Sequence, residues 1–415
     1  MTEPNHNNEL QALPPHSLRV DVAVVGGGPA GLTAAIALAA AGIRTALVSK
    51  PAVRPDNRTT ALLGGSVAAL KALGVWQSCE NDAARIEAIR IVDDTARLIR
   101  APEVIFQAAE IGADGFGYNI ENRHLIAALE GRAASFPHLV RIDGVARQIE
   151  FGENEARIDL EPQQAVGARL IIGADGRQSV CRGAAAIGTN VFDYGQTALT
   201  LNLRHTRPHK HTSTEFHTES GPFTLVPLPG MRSSVVWVVK SRDAERLTSL
   251  PRTELEARIE RQSHSILGKI SLEHEPCMFP LRAEIARTVS APRLALIGEA
   301  AHLLPPIGAQ GLNLGLRDAA TIAQLAASAI RAGGDPGGQG VTAAYETARR
   351  TDVTSRTIAV DLLNRSLLSD FLPIQGIRGL GLYLVDRIGP LRRGLMREGI
   401  APTFAAPKLM RGEPL

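Results

Sequence analysis

Residues 298 to 315, GEAAHLLPPIGAQGLNLG, combine many backbone-restricting residues with few reactive side chains. Four glycines and two adjacent prolines surround one acid, Glu299, and one histidine, His302. Glycine permits unusual dihedral angles and proline donates no backbone hydrogen bond, so such a loop presents carbonyl and amide groups to a flat ligand at close range. The pattern therefore favours a ligand surface built from backbone over a set of nucleophilic side chains.

Two regular elements must hold this loop. The apolar run from Arg293 to Ile297 predicts a strand before it, and a helix is expected from near Gly311 to about Arg331. GGDPGGQG, at 333 to 340, predicts a loop between helices. The inward residues of the helix are predicted to be Leu316, Ala319, Ala320, Ala323 and Ala326 or Ala327.

A second set of glycines lies near the start of the chain. Val20 to Val25 predicts a buried parallel strand, and the G-x-G-x-x-G sequence of residues 26 to 31 follows it directly. A helix over Leu32 to Ala41 and a strand over Arg44 to Val48 complete a βαβ unit. The sequence context therefore predicts a dinucleotide site.

Each glycine of that turn has a physical role. Gly26 permits the tight turn, Gly28 lets a pyrophosphate approach the backbone, and Gly31 lets helix and strand pack closely. The helix N-terminus then offers free N–H groups to the anion. The second strand leads to Ser49, with Lys50 next, where an acid would hold the adenosine ribose. This motif alone leaves FAD, NAD and NADP open.

A third stretch is RLIIGADGRQSVCR, at 169 to 182, where a strand ends in Asp175-Gly176. Short strand-like runs precede it from residue 139, instead of the regular βα repeats of a simple dehydrogenase. Taken alone, a strand followed by an Asp-Gly turn is common.

Together, the three stretches resemble the three fingerprints of the group A flavoprotein monooxygenases, which have the para-hydroxybenzoate hydroxylase-like fold. Within that group the chain most resembles the ubiquinone-biosynthesis hydroxylases, over residues 20 to about 400. The supporting segments are DNRTTALLGGSVAALKALGVW (56 to 76), GYNIENRHLIAAL (117 to 129), EFHTESGPFTLVPLP (215 to 229) and PIGAQGLNLGLRDA (306 to 319).

The resemblance implies an α/β fold with a Rossmann-like FAD-binding domain, a substrate domain built on a mixed antiparallel sheet, and a C-terminal helical region. Alternating apolar and polar residues at 76 to 103 and 183 to 286 favour the sheet domain. The expected division is 18–75, 104–182 and 287–350 for FAD, 76–103 and 183–286 for substrate, and 351–415 for the helical region.

The resemblance also implies which residues contact FAD. Gly26, Gly28 and Gly31 would bind the pyrophosphate, and Asp175 would position FAD and support the region that NAD(P)H crosses. The other expected FAD contacts are Ser49 at the ribose, Arg58, Asn122 and Arg123 along the nucleotide, Gly298 and Glu299 at the ribityl chain, and Gly308, Gln310, Gly311, Leu312 and Asn313 near the ring.

Two of these positions depart from the family pattern, since Ser49 replaces an acid and Glu299 replaces an aspartate. Two others have alternatives, because Arg58 suits a solvated surface charge and Asn122 suits a helix N-cap. The carbonyl of Pro306 would face the substrate hydroxyl. His302 is interpreted as a structural hydrogen-bonding residue, with proton transfer as its alternative catalytic role.

The implied reaction uses NAD(P)H to reduce FAD and transfers one oxygen atom of dioxygen to an electron-rich phenol. FAD carries the difficult chemistry, while the protein positions the partners and excludes water. Three hypotheses follow: a hydroxylase of a polyprenylated phenol in ubiquinone synthesis, a hydroxylase of a small soluble phenol or benzoate, and a catalytically silent flavin-bound assembly subunit.

Composition excludes other classes. The net charge is +3 over 415 residues without a dominant basic run, so nucleic-acid binding has no support. Three distant cysteines show no disulfide or metal motif, which suits a reducing cytoplasm. The histidines between 205 and 217 lack metal-ligand spacing, so no metal is predicted.

The ends of the chain give two further expectations. The polar start, residues 1 to 21, lacks a signal-peptide pattern and is interpreted as a short disordered lead-in. Residues 371 to 400 interleave five arginines with apolar residues. This segment predicts either a helical cap on the FAD domain or a basic amphipathic surface on anionic lipid. The expected location is therefore the cytoplasm, with peripheral contact at the inner face of the membrane as the alternative to a freely soluble state.

Overall fold

The computed structural model describes residues 18–50, 58–95, 100–161, 164–306, 308–368, 387–400 and 406–415. The strands within these ranges are β1 (Leu18–Val25), β2 (Thr45–Ser49), β3 (Thr59–Leu63), β4 (Ala83–Ile86), β5 (Ala88–Asp93), β6 (Val104–Gln107), β7 (Gly117–Glu121), β8 (Leu139–Asp143), β9 (Val145–Phe151), β10 (Ala156–Glu161), β11 (Gln164–Gly173), β12 (Thr189–His205), β13 (Thr212–Thr218), β14 (Gly221–Leu228), β15 (Arg232–Lys240), β16 (Ile270–Leu272), β17 (Cys277–Ala286), β18 (Ser290–Ala291), β19 (Leu294–Leu296) and β20 (His302–Leu303). The helices in the same ranges are α1 (Pro29–Ala40), α2 (Gly64–Ala72), α3 (Asn122–Ala134), α4 (Val180–Ala184), α5 (Ser241–Thr248), α6 (Arg252–Gln262), α7 (Gln310–Arg331), α8 (Gln339–Leu368) and α9 (Gly389–Ile400).

The first sheet has the order β18-β19-β11-β1-β2-β8, with β10 paired to β11 and β9 paired to β10. Its central strands, from β19 to β8, run parallel. Strands β1, β2, β11 and β19 are mostly buried, with α1 packed on β1 and β2 and α7 packed on α1, and this explains the apolar run from Val22 to Val25 in β1. The edge strand β8 exposes three of its five residues. The predicted βαβ unit is confirmed, with each boundary within three residues of its expected place.

The second sheet has the order β20-β17-β12-β15-β14-β13-β5-β6, with β16 added to β12. Its neighbours are antiparallel except for β5 and β13, which run parallel. The short strand β20 belongs to the late glycine-proline loop, and it pairs with β17. This pairing fastens the loop to the second sheet, while β19 before it belongs to the first sheet.

The expected run of strands over 183 to 286 is interrupted. Helices α5 and α6 occupy residues 241 to 262 and cover one face of the second sheet, where Leu255 and Ile259 are buried against it. The expected boundary at residue 104 also falls inside a sheet, because β6 pairs with β5. A small third sheet, β3-β7-β4, lies between the two larger ones in sequence and contacts β14.

Helix α7 confirms the predicted helix almost to the residue, and its predicted inward residues are all buried. Helix α8 packs against α7, and the last residues of the chain place Leu409 and Met410 in the core. Most of the predicted disordered lead-in and residues 371 to 386 of the basic segment lie outside the described residues. Across the ranges that the structure covers, none of the helices has the length and apolar character needed to span a bilayer.

Candidate active site

A cavity of about 760 Å³ lies where the carboxyl ends of the first sheet's strands meet the second sheet. Parallel α/β sheets bind ligands at this end, since the turns after the strands converge there. The volume is in the range of small-molecule and cofactor sites. Among the residues expected from the sequence, Gly28, Gly31, Arg58, Asn122, Gly298, Glu299, His302, Pro306, Gly311 and Leu312 line this cavity.

The turn between β1 and α1 is shaped by close backbone approaches. Gly26 has φ of +118°, and a methyl group on it would lie 2.2 Å from the Ala174 carbonyl oxygen. A methyl group on Gly31 would lie 2.0 Å from the Gly26 carbonyl oxygen. Gly28, in contrast, faces open space and precedes α1 without any side-chain cap. The turn is therefore a cradle with a bare helix N-terminus, which fits a pyrophosphate group.

Ser49 ends β2 beside this turn and does not line the cavity. A methyl group on Gly27 would lie 2.7 Å from the Ser49 Cβ. Glycine at position 27 therefore lets the end of β2 lie against the glycine turn.

Asp175 forms hydrogen bonds with residues that follow it closely in the sequence. Its carboxylate accepts hydrogen bonds from the Ser179 hydroxyl at 2.6 Å and the Cys181 backbone N–H at 3.1 Å, so it holds the start of α4. Its neighbours Ala174 and Gly176 line the cavity. The structure therefore gives Asp175 a supporting position behind the cavity wall.

The three residues that were expected along the nucleotide lie in different surroundings in the structure. The Arg58 guanidinium lies 5.2 Å from the centre of the Phe279 ring, at the cavity wall. Asn122 is the first residue of α3, and its side chain accepts a hydrogen bond from the Thr60 hydroxyl at 2.7 Å. Glu121 is the N-cap, so the capping interpretation of Asn122 is wrong. Arg123 lies outside the cavity lining and pairs with the buried Glu121 carboxylate at 3.1 Å.

The late loop begins with a left-handed glycine. Gly298 has φ of +58° and donates its N–H to Asp318 at 3.0 Å. Glu299 is half-exposed at the cavity wall, 3.6 Å from the Arg177 guanidinium. A carboxylate is thus present where the resemblance places the ribityl contact, and it already faces a cation.

The same loop ends in two further left-handed residues, Gly308 and Ala309, before α7 starts at Gln310. No side chain caps this helix, so its first amides are open. A methyl group on Gly311 meets nothing within 4 Å. The helix therefore presents a clear surface, with partial positive charge, at the cavity.

The side chain of Asn313 connects several segments of the chain behind that surface. Its side-chain oxygen accepts from the Leu63 N–H at 2.9 Å and the Ser66 hydroxyl at 2.7 Å. Its amide donates to the carbonyls of Ala61 at 2.8 Å and Ala309 at 2.6 Å. All four hydrogen-bonding positions of the side chain are used by the protein. Only the Asn313 backbone therefore remains for the expected cofactor contact.

His302 lies in a buried ionic cluster. Its Nε2 lies 2.6 Å from one carboxylate oxygen of Asp318, and the Arg349 guanidinium donates to the other oxygen at 2.6 Å. Burial would raise the pKa of Asp318, but His302 and Arg349 beside it bring that pKa below its usual value. Asp318 thus stays ionised and ties His302 to α7 and α8, which favours the structural interpretation of His302.

The opposite wall is a face of the second sheet that the sequence did not identify. Strand register places Thr200 and Asn202 of β12 beside Val236 and Ser234 of β15, and Cys277 of β17 beside Thr200. Phe279 and Leu281 continue the same face of β17 and line the cavity. The wall is therefore polar near Asn202 and Ser234 and apolar near Phe279 and Leu281. Strand alternation was the available signal, but alternation alone does not say which face meets the cavity.

The chain is similar to several known proteins. A family model described as an FAD binding domain matches residues 19–358. Ubiquinone hydroxylase UbiL of Rhodospirillum rubrum is 34% identical over 410 residues, covering 95% of this chain and 93% of that protein. The 3-demethoxyubiquinol 3-hydroxylase of Escherichia coli is 28% identical, covering 92% of this chain and 98% of that protein.

Among solved structures, p-nitrophenol 4-monooxygenase PnpA from Pseudomonas putida superposes with a TM-score of 0.76 at 18% identity. The match covers 92% of this chain and 98% of that one. At this identity it shows the fold, and the expected fold class is confirmed.

A family match over most of the chain, together with the cradle and the backbone-built cavity, defines the class. The chain belongs to the FAD-binding family of flavoprotein monooxygenases. Within that family it belongs to the branch of the ubiquinone-biosynthesis hydroxylases. The resemblance drawn from the sequence, the enzyme class and the use of FAD with NAD(P)H are confirmed.

Proposed function

We propose that this enzyme hydroxylates the aromatic ring of a polyprenylated phenol in ubiquinone biosynthesis. The observation that carries the proposal is a single cavity with two unlike walls. One wall consists of glycine turns and bare helix N-termini, and the other is a sheet face with a small polar area beside an apolar one.

The residues of the first wall fit FAD. Gly28 and Gly31, with the N-terminus of α1, would hold the pyrophosphate, and Glu299 would meet the ribityl chain. The open amides at the start of α7 would stabilise negative charge on the flavin ring. When bound, FAD accepts electrons from NAD(P)H and activates dioxygen.

The residues of the second wall fit a neutral phenol with an apolar substituent. Asn202 donates to the Glu121 carboxylate at 3.2 Å and the Ser234 hydroxyl accepts from Asn119 at 3.1 Å, so their remaining hydrogen-bonding positions would serve ring oxygens. Phe279 and Leu281 offer apolar area. Between the two walls, the loop carbonyl of Pro306 would orient the ring hydroxyl. Positioning of this kind, with water excluded from the cavity, is the contribution that the protein makes to the rate.

A small benzoate, the alternative substrate, requires a cation for its carboxylate. Among the residues that the structure describes, the arginines at the cavity wall are already in contact with other groups: Arg282 with Glu284 at 2.9 Å, Arg177 with Glu299 at 3.6 Å, and Arg58 beside the Phe279 ring. This favours the neutral, prenylated substrate. The silent-subunit alternative is less favoured, because Glu299 keeps a carboxylate at the cavity.

Purified protein loaded with FAD tests the proposal directly. With NAD(P)H and dioxygen, we expect a short-chain prenylated phenol to gain one oxygen atom, measured by mass spectrometry, and 4-hydroxybenzoate to remain unchanged. Turnover of the benzoate alone would support the small-substrate alternative. FAD that stays oxidised under anaerobic NADPH with a phenol present would support a silent subunit.

We also propose that helix α9 contacts the membrane, where a polyprenylated substrate resides. Met396 is buried in a small apolar cluster, and Arg392 pairs with Glu110 at 2.7 Å, so one side of α9 is docked on the protein. Ile388 and Leu391 remain 43% exposed, and Arg393 and Arg397 are exposed as well. Exposed apolar residues with arginines suit the surface of an anionic bilayer.

Reversing Arg393 and Arg397 to glutamate should weaken flotation with phosphatidylglycerol vesicles, by about 1 kcal/mol or more for each arginine. The matched control reverses Arg242 and Arg246, which have the same spacing on α5 and are also exposed. Equal binding by both double variants, or equal binding of the native protein to neutral vesicles, would contradict the membrane proposal.

A further inference from the structure

Helices α7 and α8 share a buried cluster of five charged residues, which we call the α8 charge cluster: Arg317, Asp318, Arg349, Asp352 and Arg356. Asp352 accepts from all three arginines, at 2.6 Å from Arg317, 2.7 Å from Arg349 and 2.8 Å from Arg356. Arg349 also binds Asp318 at 2.6 Å. These side chains are between 1% and 18% exposed, so water screens them poorly.

The cluster carries an excess of positive charge. Burial would raise the pKa of Asp352, but the adjacent Arg349 and Arg317 hold that pKa well below its usual value. Both aspartates are therefore ionised at neutral pH. Three arginines against two aspartates leave one net positive charge on these five side chains.

One arginine connects this cluster to the late loop. Arg356 donates to the Gln310 side-chain oxygen at 3.0 Å, and the Gln310 amide donates to the Gly308 carbonyl at 2.8 Å. Between them lies Ala309, whose φ of +54° is unfavourable for a residue with a side chain. The link therefore holds a strained turn at the point where α7 begins.

We propose that Arg356 is a positioning residue that fixes the first turn of α7 against FAD, and that the α8 charge cluster adds a full positive charge behind the helix N-terminus. Reduced FAD is more negative than oxidised FAD, so this charge favours reduction. The helix end alone contributes about half a charge. The inference rests on the proposed placement of the flavin ring at the start of α7.

The test measures the midpoint potential of bound FAD in the full-length holoenzyme, without aromatic substrate. Arg356→Met should shift the equilibrium at least about ten-fold towards oxidised FAD, equivalent to about 30 mV for two electrons. Arg350→Met is the matched control, because Arg350 is on the same helix, is 61% exposed and pairs only with Glu346 in the contacts described. It should leave the equilibrium within about two-fold of the native value.

Two further variants separate charge from position. Arg356→Lys keeps the charge and should restore most of the native potential. Gln310→Leu keeps the cluster but releases the loop, so the potential should change less than in Arg356→Met.

The inference is overturned if the equilibrium of Arg356→Met stays within about two-fold of native, or if Arg350→Met shifts it equally. It is also overturned if Gln310→Leu shifts the equilibrium as far as Arg356→Met does. If Arg356→Met does not retain FAD, the midpoint potential of the Arg356→Gln variant is measured instead. A native potential in that variant would also overturn the inference. Because the potential needs no substrate, a wrong substrate assignment would leave this result unaffected.

Discussion

Replacing Gly311 with valine is expected to lower hydroxylation by at least about 100-fold while the protein stays folded and still binds FAD. Gly311 is the second residue of α7, its φ is not in the left-handed region, and a methyl group there meets no atom of the described residues within 4 Å. The new side chain is therefore expected to change the stability of the folded protein only slightly. It occupies cavity space at the open amides, where the flavin ring is proposed to lie, and displaces the ring from its productive position.

The chain supplies a matched control for this variant. Gly340 is the second residue of α8, follows a glutamine as Gly311 does, and also faces open space, but it does not line the cavity. Gly340→Val should hydroxylate at nearly the native rate. Hydroxylation would be followed by product mass and flavin content by absorbance. Normal turnover by Gly311→Val would contradict the placement of the ring at this helix.

Replacing Gly31 with alanine is expected to destabilise the protein by about 3 kcal/mol or more and to abolish FAD retention. The added methyl group would lie 2.0 Å from the Gly26 carbonyl oxygen and 3.0 Å from the Ala174 side chain, so β1 and α1 would have to separate. For a chain of 415 residues, such a loss corresponds to a fall of about 3–4 °C in Tm.

Gly28→Ala gives the contrasting result. Gly28 has φ of −71° and open space around it, so alanine is compatible with the fold. Its methyl group would nevertheless stand in the cavity in front of the α1 amides. We expect a native Tm for the apoprotein with weakened FAD affinity, measured by calorimetry. An unchanged affinity would argue against pyrophosphate at this turn, and a native Tm in Gly31→Ala would argue against the described packing.

The first βαβ unit and α7 could be predicted from the sequence because their periodicity is local. Burial on both sides of β1 gives a continuous apolar run from Val22 to Val25, and the small residues of α7 repeat at helical spacing. Helices α5 and α6 were missed although Leu255 and Ile259 have helical spacing, because the adjacent strands dominated the interpretation of that segment.

The side-chain partners of the site could not be predicted, because they join distant segments. Asn313 binds residues about 250 positions earlier in the chain, and no local pattern marks that pairing. The role of Arg356 could not be predicted either, because an arginine on a helix with many polar residues is usually a solvated surface charge. The expected FAD contact of Arg123 remains a prediction, although its ion pair with Glu121 turns it away from the cavity.

The placement of Asp318 also constrains how this chain can diverge. One buried carboxylate on α7 binds the Gly298 amide and His302, both on the late loop, and Arg349 on α8. Loss of one partner leaves an uncompensated buried charge, a change that costs several kcal/mol. If evolution replaces one of the side chains of Asp318, His302 and Arg349, the other two therefore have to be replaced almost at once. Asp318, His302 and Arg349 are expected to be inherited as a unit, while the exposed residues of the same helices drift freely.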